Sequence, residues 1–226
     1  MDRLLDNFLN FSVMAQAWPT VLQGFGLTVV VSLLVIVLGV GAGLGLAVLR
    51  SMRLRGVDLL IVAWVDLFRT LPQLVIIIVL YFGMPYLGLT LSPFVTTVLA
   101  LGAVLSAFAC EIFWSAIQAV PRGQSDAARA LGFGHLRLLF KILLPQAWRL
   151  AIPMLTNRAI SISKGTALGT AVSLPETLGQ AQSFMSLVAN PSPLTLAAAL
   201  YLTLFLPLVV ASRWIEHSSS QGRRGH

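Results

Sequence analysis

The side chains in this sequence with the means to do chemistry are the few charges set inside long apolar runs: Asp66, Arg69, Glu111, Arg158 and Lys164. A charge held away from water is costly and is usually kept for a function. Glu111 lies ten residues before Pro121, or roughly 15 Å along a helix, which is near the middle of an apolar core about 30 Å thick. A carboxylate there has two uses: to meet an ammonium group, or to form a structural ion pair with Arg69 or Arg158. Asp66 and Arg69 stand three apart, close enough to pair on one helix, and Arg69 is equally placed to face a carboxylate. Pro72 then removes a backbone bond, and a kink there turns carbonyls toward a cavity. Lys164 and Thr166 follow Pro145 by 19 and 21 residues. The lysine is expected near the far face, roughly 28 Å along a straight helix, either meeting an incoming solute or snorkelling.

An enzyme in the membrane would need a nucleophile with a base, or metal ligands, at this depth. The sequence has no H-E-x-x-H and no G-x-S-x-G, and none of its three His lies in an apolar run, which argues against an intramembrane enzyme. A phosphate loop is also missing, since Lys164-Gly165-Thr166 runs in the wrong order. No metal or cofactor is called for. Cys110 is the single cysteine, so no internal disulfide forms.

Helices must hold these charges at depth. Of 226 residues, 57% are hydrophobic and 10% charged, whereas a soluble domain carries about a quarter charged residues. Such a surface suits a bilayer, which takes about 20 apolar residues to span. Gly24–Leu49 is uncharged over 26 residues. Leu59–Phe82, Phe94–Ile117, a shorter Gln146–Ser163 and an uncharged Leu194–Ser212 follow. The expectation is an all-α integral membrane protein with five transmembrane helices, in which residues 19–215 form the transmembrane domain. Residues 1–18 carry Asp2, Arg3 and Asp6 and show no small-residue cleavage site, so the first span is expected to direct insertion itself. Gly39, Gly41, Gly43 and Gly45 make two G-x-x-x-G spacings, suited either to packing inside the chain or to a dimer contact.

Basic residues set the orientation. Arg50, Arg53 and Arg55 follow the first span. Arg122, Arg129, Arg137, Lys141 and Arg149 lie between the third and fourth, and Arg213, Arg223 and Arg224 follow the fifth. These are eleven of the 15 basic residues, while 83–93 has no charge. The N-terminus is therefore expected outside as a periplasmic segment, and residues 216–226 as a cytoplasmic tail. The net charge of +7 is absorbed this way without nucleic acid. Glu176 and Gln180, before the last span, and His135, in the basic loop, are expected to be solvated.

The long connection 121–145 reads as two short helices, 124–131 and 135–143, parted by Gly132 and Gly134. Leu136, Leu139, Phe140 and Leu143 share one face of the second, and Ala127, Ala128 and Ala130 let a partner approach the first. Asp126-Ala127-Ala128, three residues, Gly132, nine residues, then Ile142-x-Leu144-Pro145 is similar to the E-A-A–x3–G–x9–I-x-L-P loop of bacterial type I ABC importer permeases, with Asp for Glu. Phe68-Arg69-Thr70-Leu71-Pro72, Glu111-Ile112-Phe113 with Ala116-Ile117-Gln118 and Val120-Pro121, and Lys164-Gly165-Thr166-Ala167-Leu168 resemble F-R-G-T-P, E-I-F-R-G-A-I-Q-S-V-P and K-D-T-S-L of its polar amino acid branch. Trp114, Gly165 and Ala167 depart from the branch, where Arg, Asp and Ser stand.

The resemblance implies that 121–145 holds a coupling helix docking on an ABC ATPase subunit dimer. It also implies a second permease subunit, identical or homologous, a periplasmic substrate-binding protein, and a place for this chain in the inner membrane of a bacterium. Transport then runs by alternating access with a partner hydrolysing ATP, the substrate pathway involving Glu111, Arg69, Lys164 and Thr166. Import of another small zwitterion or organic cation, or a structural membrane subunit, are the other readings.

Overall fold

The computed structural model describes residues 6–221, with side chains described through Trp214. Asp2, Arg3, Arg223 and Arg224 lie outside the described residues. Helix α1, Phe11–Ser51, runs for 41 residues, so residues 11–18 are already helical. After it come α2 (Arg55–Thr70), α3 (Gln73–Gly83), a 3-10 turn at Met84–Leu87 and α4 (Pro93–Gln118). Helix α5 (Arg122–Ala130) precedes α6 (His135–Leu138), which passes through a π turn at Leu139–Leu143 into α7 (Leu144–Ser163). A 3-10 helix at Lys164–Val172, α8 (Thr177–Val188) and α9 (Ser192–Gln221) complete the chain.

Among the described residues, four helical stretches are long and apolar enough to cross a membrane, and a bent pair brings the number to five. The pair is α2 with α3, the span read from Leu59 to Phe82 with a kink expected at Pro72. It is broken, with the two parts 107° apart. Pro72 has no N–H to donate, and the residue before a proline avoids helical angles. Leu71 accordingly sits at φ −74° and ψ 137° and caps α2 through its N–H to the Leu67 carbonyl.

The fourth span differs in the opposite sense: the expected short helix 135–143 does not stop but joins the span in one stretch, His135–Val172. Pro145 again explains it. In an α-helix its ring would crowd the Lys141 carbonyl and leave that carbonyl unbonded. The π turn widens the helix just ahead of the proline, with the Leu144 N–H bonded five residues back to Leu139.

The chain forms two compact units. The first gathers residues up to Ile36, Pro72–Gly102 and Ile160–Ala211. In it Ala17 and Val21 of α1 pack with Ala181 of α8 and Leu196, Ala197 and Leu200 of α9. The second gathers Val37–Leu71, Ala103–Ala159 and the residues from Ser212. Its core joins Ala47, Ile61 and Val65 to Cys110, Phe113, Leu139 and Ala151, with Phe113 stacked on Trp148 at 5.5 Å. Gly39 and Gly43 face α4 in this unit. A Cβ on Gly39 would lie 2.7 Å from Leu105 Cβ, and one on Gly43 2.5 Å from Ala109 Cβ. Gly41 and Gly45 face open space. The two G-x-x-x-G registers thus separate, one used inside the chain and the other with no neighbour in it. Val37, Leu59, Leu60 and Leu202 are more than half exposed, a surface suited to hydrocarbon rather than water.

Candidate functional site

The segment Pro121–Pro145 is organised by its turn. Helix α5 ends in paired bonds, from the Gly132 N–H to the Arg129 carbonyl at 2.9 Å and from the Phe133 N–H to the Ala128 carbonyl at 3.0 Å. This is a Schellman closure, which needs a left-handed residue at its centre, and Gly132 supplies it at φ 78°. Gln146 then donates to the Ile142 carbonyl at 2.9 Å and to Gln124 Oε1, lashing α5 to the foot of α7. Asp126, Ala127 and Gly132 are exposed, Ile142 and Leu144 half-buried and Pro145 exposed.

Two expectations for this segment are corrected. Ala128 is 2% exposed, so its small side chain serves packing inside the chain, not the approach of a partner. Nor do Leu136, Leu139, Phe140 and Leu143 share a face. Leu138 and Leu139 are buried while Leu136 and Phe140 are exposed, because the π turn rotates the following residues out of the α-helical register. Leu131, Leu136 and Phe140 are left as exposed apolar side chains around the turn, with Arg137 over Phe133 at 4.4 Å.

Four charged residues of the second unit, Arg50, Asp58, Arg69 and Glu111, form one network. Arg50, in the last turn of α1, reaches Glu111 of α4 at 3.2 Å and Asp58 of α2 at 3.2 Å. Arg69 meets the same Glu111 oxygen at 3.9 Å. Asp66 is exposed and, among the described residues, forms no ion pair with Arg69; the expected pair on one helix gives way to one between helices. Arg158 does not reach Glu111 either. Its guanidinium lies 4.0 Å from the centre of the Phe108 ring, and that of Arg69 5.4 Å from the same centre. Trp114 stacks under Arg50 at 4.9 Å, so the aromatic side chain at this departure from the branch accommodates a cation that a second arginine would repel.

Glu111→Gln should therefore lower stability. Arg50 is left with Asp58 alone and Arg69 with no acid. Glu111 is 37% exposed, so water screens the loss and the cost is about 1 kcal/mol. The check is the midpoint of thermal unfolding in detergent, where an unchanged midpoint would remove the structural role of the pair.

Lys164 and Thr166 lie in the first unit, where the α-helix tightens to 3-10 form instead of running on straight. Lys164 is exposed, its Nζ 5.8 Å from the Phe205 ring centre. Thr166 is fully buried and its hydroxyl has no partner among the described residues. Gly165 packs so closely on Gln73, at the start of α3, that a Cβ would overlap Gln73 Oε1. An amide thus fills the space beside the position where the branch pattern has aspartate.

Glu176, expected to be solvated, is fully buried. It caps α8 by accepting from the Gly179 N–H at 2.9 Å, and accepts from Thr28 Oγ1 of α1 at 3.1 Å and from the Tyr201 hydroxyl of α9. Burial pushes its carboxyl upward, and these hydrogen bonds oppose the shift. Gln180 is half-buried beside it. The signal available in the sequence was isolation: Glu176 is the sole carboxylate between Asp126 and Glu216.

Apolar helices of spanning length, carrying charges at depth and a polar helix–turn–helix built into one of them, define an all-helical integral membrane protein. The chain belongs to the family described as binding-protein-dependent transport system inner membrane components, whose model matches residues 35–221. It is 32% identical over 165 residues to the L-cystine transport system permease protein TcyB of Bacillus subtilis, covering 73% of this chain and 70% of that one. To the probable glutamine ABC transporter permease protein GlnM of the same organism it is 31% identical over 209 residues, covering 92% and 97%. A solved amino acid ABC transporter with histidines superposes with a TM-score of 0.82 at 28% identity, over 91% of this chain and 96% of that one.

Proposed function

We propose that this chain is the permease subunit of an ATP-driven importer that takes a polar amino acid from a periplasmic binding protein and releases it into the bacterial cytoplasm by alternating access. The observation that carries the reading is the Schellman turn at Gly132 continued through the π turn into α7. A force applied to the exposed face of α5 is passed through the hydrogen-bonded turn to α6, which runs into a membrane span without an intervening loop, and through the Gln146–Gln124 contact to the foot of that span. Asp126, Ala127, Leu131, Leu136 and Phe140 offer a mixed polar and apolar surface on which an ABC ATPase dimer would seat. Two permease subunits, identical or homologous, would enclose the path. Relatives named for glutamine and cystine support an amino acid as cargo.

Purification of the chain with its co-expressed neighbours is expected to bring an ATPase. In proteoliposomes with the binding protein, that ATPase should be stimulated several-fold by one or a few of the twenty amino acids. A complex without an ATPase, or one that answers none of the twenty, overturns the reading. The same complex checks the orientation read from the arginines: a reporter after His226 should be active on the cytoplasmic side and one in the Gly88 turn outside.

A further inference from the structure

We propose that Arg158 and Arg69, set around the ring of Phe108 in the second unit, form a carboxylate-binding subsite for the transported solute; this rests on the amino acid reading above. Three guanidiniums, Arg50, Arg69 and Arg158, share this region with two engaged carboxylates. Asp58 is held by Arg50, and Glu111 is divided between Arg50 at 3.2 Å and Arg69 at 3.9 Å. Among the described residues Arg158 has neither an ion pair nor a hydrogen bond, and its charge rests on Phe108 at 4.0 Å. Asp66, the other acid of α2, is exposed and pairs with neither arginine.

A cation in a membrane span faces protein or water and finds an anion, because hydrocarbon does not solvate it. An aromatic face offsets part of that cost and leaves the guanidinium N–H groups free. Their fork matches a carboxylate by two parallel hydrogen bonds. Arg158 is half-buried and Arg69 has 40% of its side chain exposed, so both are held in place yet open on one side. Both guanidiniums lie against the same Phe108 ring, at 4.0 and 5.4 Å from its centre, so one carboxylate at this ring can meet both.

The carboxylate is either the α-carboxylate common to amino acids or an acidic side chain, and an isomeric pair separates these. L-glutamine has only the first and L-isoglutamine only the second. The purified permease–ATPase complex, without binding protein, is titrated with L-glutamine, L-isoglutamine, L-glutamate, L-cystine, L-histidine and L-histidinamide, following thermal stabilisation. For a probe that stabilises the wild type, Arg158→Gln should raise the half-saturating concentration about ten- to a hundredfold. Arg158→Lys keeps the charge but not the fork and should raise it about three- to tenfold; it serves if Arg158→Gln does not assemble. With an α-carboxylate as the ligand, L-isoglutamine and L-histidinamide bind more weakly than L-glutamine and L-histidine, and with an acidic side chain L-glutamine is the weak one. Half-saturation unchanged in both variants overturns the subsite alone. So does a loss confined to the amount of assembled complex, which assigns Arg158 to an acid on another subunit. A wild type that answers no amino acid here or in the ATPase assay overturns the import reading and the subsite with it.

Discussion

Gly43→Val is expected to abolish recovery of folded protein from the membrane, whereas Gly41→Val, two residues away, leaves it near the wild-type level. The two glycines belong to the same apolar helix and differ only in what they face. A Cβ on Gly43 would lie 2.5 Å from Ala109 Cβ, 2.7 Å from the Ser106 carbonyl oxygen and 2.9 Å from the Cys110 N. The last two are backbone atoms of α4, which no rotamer change moves aside. Relief requires α1 and α4 to separate along a contact that also holds Ala47, Cys110 and Phe113 in the core. Overpacking of a rigid interface costs about 1–3 kcal/mol even where neighbours adjust, and here the opposing surface is main chain, so the upper end or more applies. Gly41 meets nothing within 4 Å. Yield of monodisperse protein and the thermal midpoint in detergent decide the matter, with Gly43→Ala expected between the extremes. Equal yields for the valine variants at 43 and 41 would contradict the close helix contact.

Gly132→Val has the second large effect, on function and not on yield. Its Cβ would touch nothing, so the whole cost is backbone strain. A β-branched residue in the left-handed region costs about 1–3 kcal/mol, enough to open a solvent-exposed turn closed by two hydrogen bonds. With the Schellman bonds lost, α5 no longer keeps its angle to the foot of α7. Uptake in proteoliposomes is expected to fall to about a tenth or less, in line with that cost, with the midpoint of the membrane spans unchanged. Gly132→Asn should retain much of the activity, because asparagine tolerates left-handed angles. Wild-type uptake by the valine variant, with the ATPase still bound, would contradict the mechanical role of the turn.

What was legible in the sequence follows from local rules. Uncharged runs of spanning length mark the membrane helices, since hydrocarbon excludes charge whatever the fold. The spacing around Asp126, Gly132 and Pro145 marks the helix–turn–helix, and a glycine at its centre is required by dihedral sterics alone. Pro72 announced a disturbance at the right residue, though its backbone chemistry did not distinguish a kink from a 107° break.

The remaining features depend on which helices become neighbours. Arg50, assigned by composition to a loop, ends α1 and supplies the closest partner of Glu111, because α1 packs along α4 through Gly39 and Gly43. Ala128 reads as a docking alanine until α5 folds back and buries it. Glu176 looks like one more polar residue beyond a span, but Thr28 and Tyr201, 148 and 25 residues away, close over it. Apolar patterning and turn chemistry therefore set the elements and their breaks from the sequence alone. The pairing of charges inside them was decided by tertiary structure, since an ion pair is chosen by distance between side chains and not by their separation along the chain.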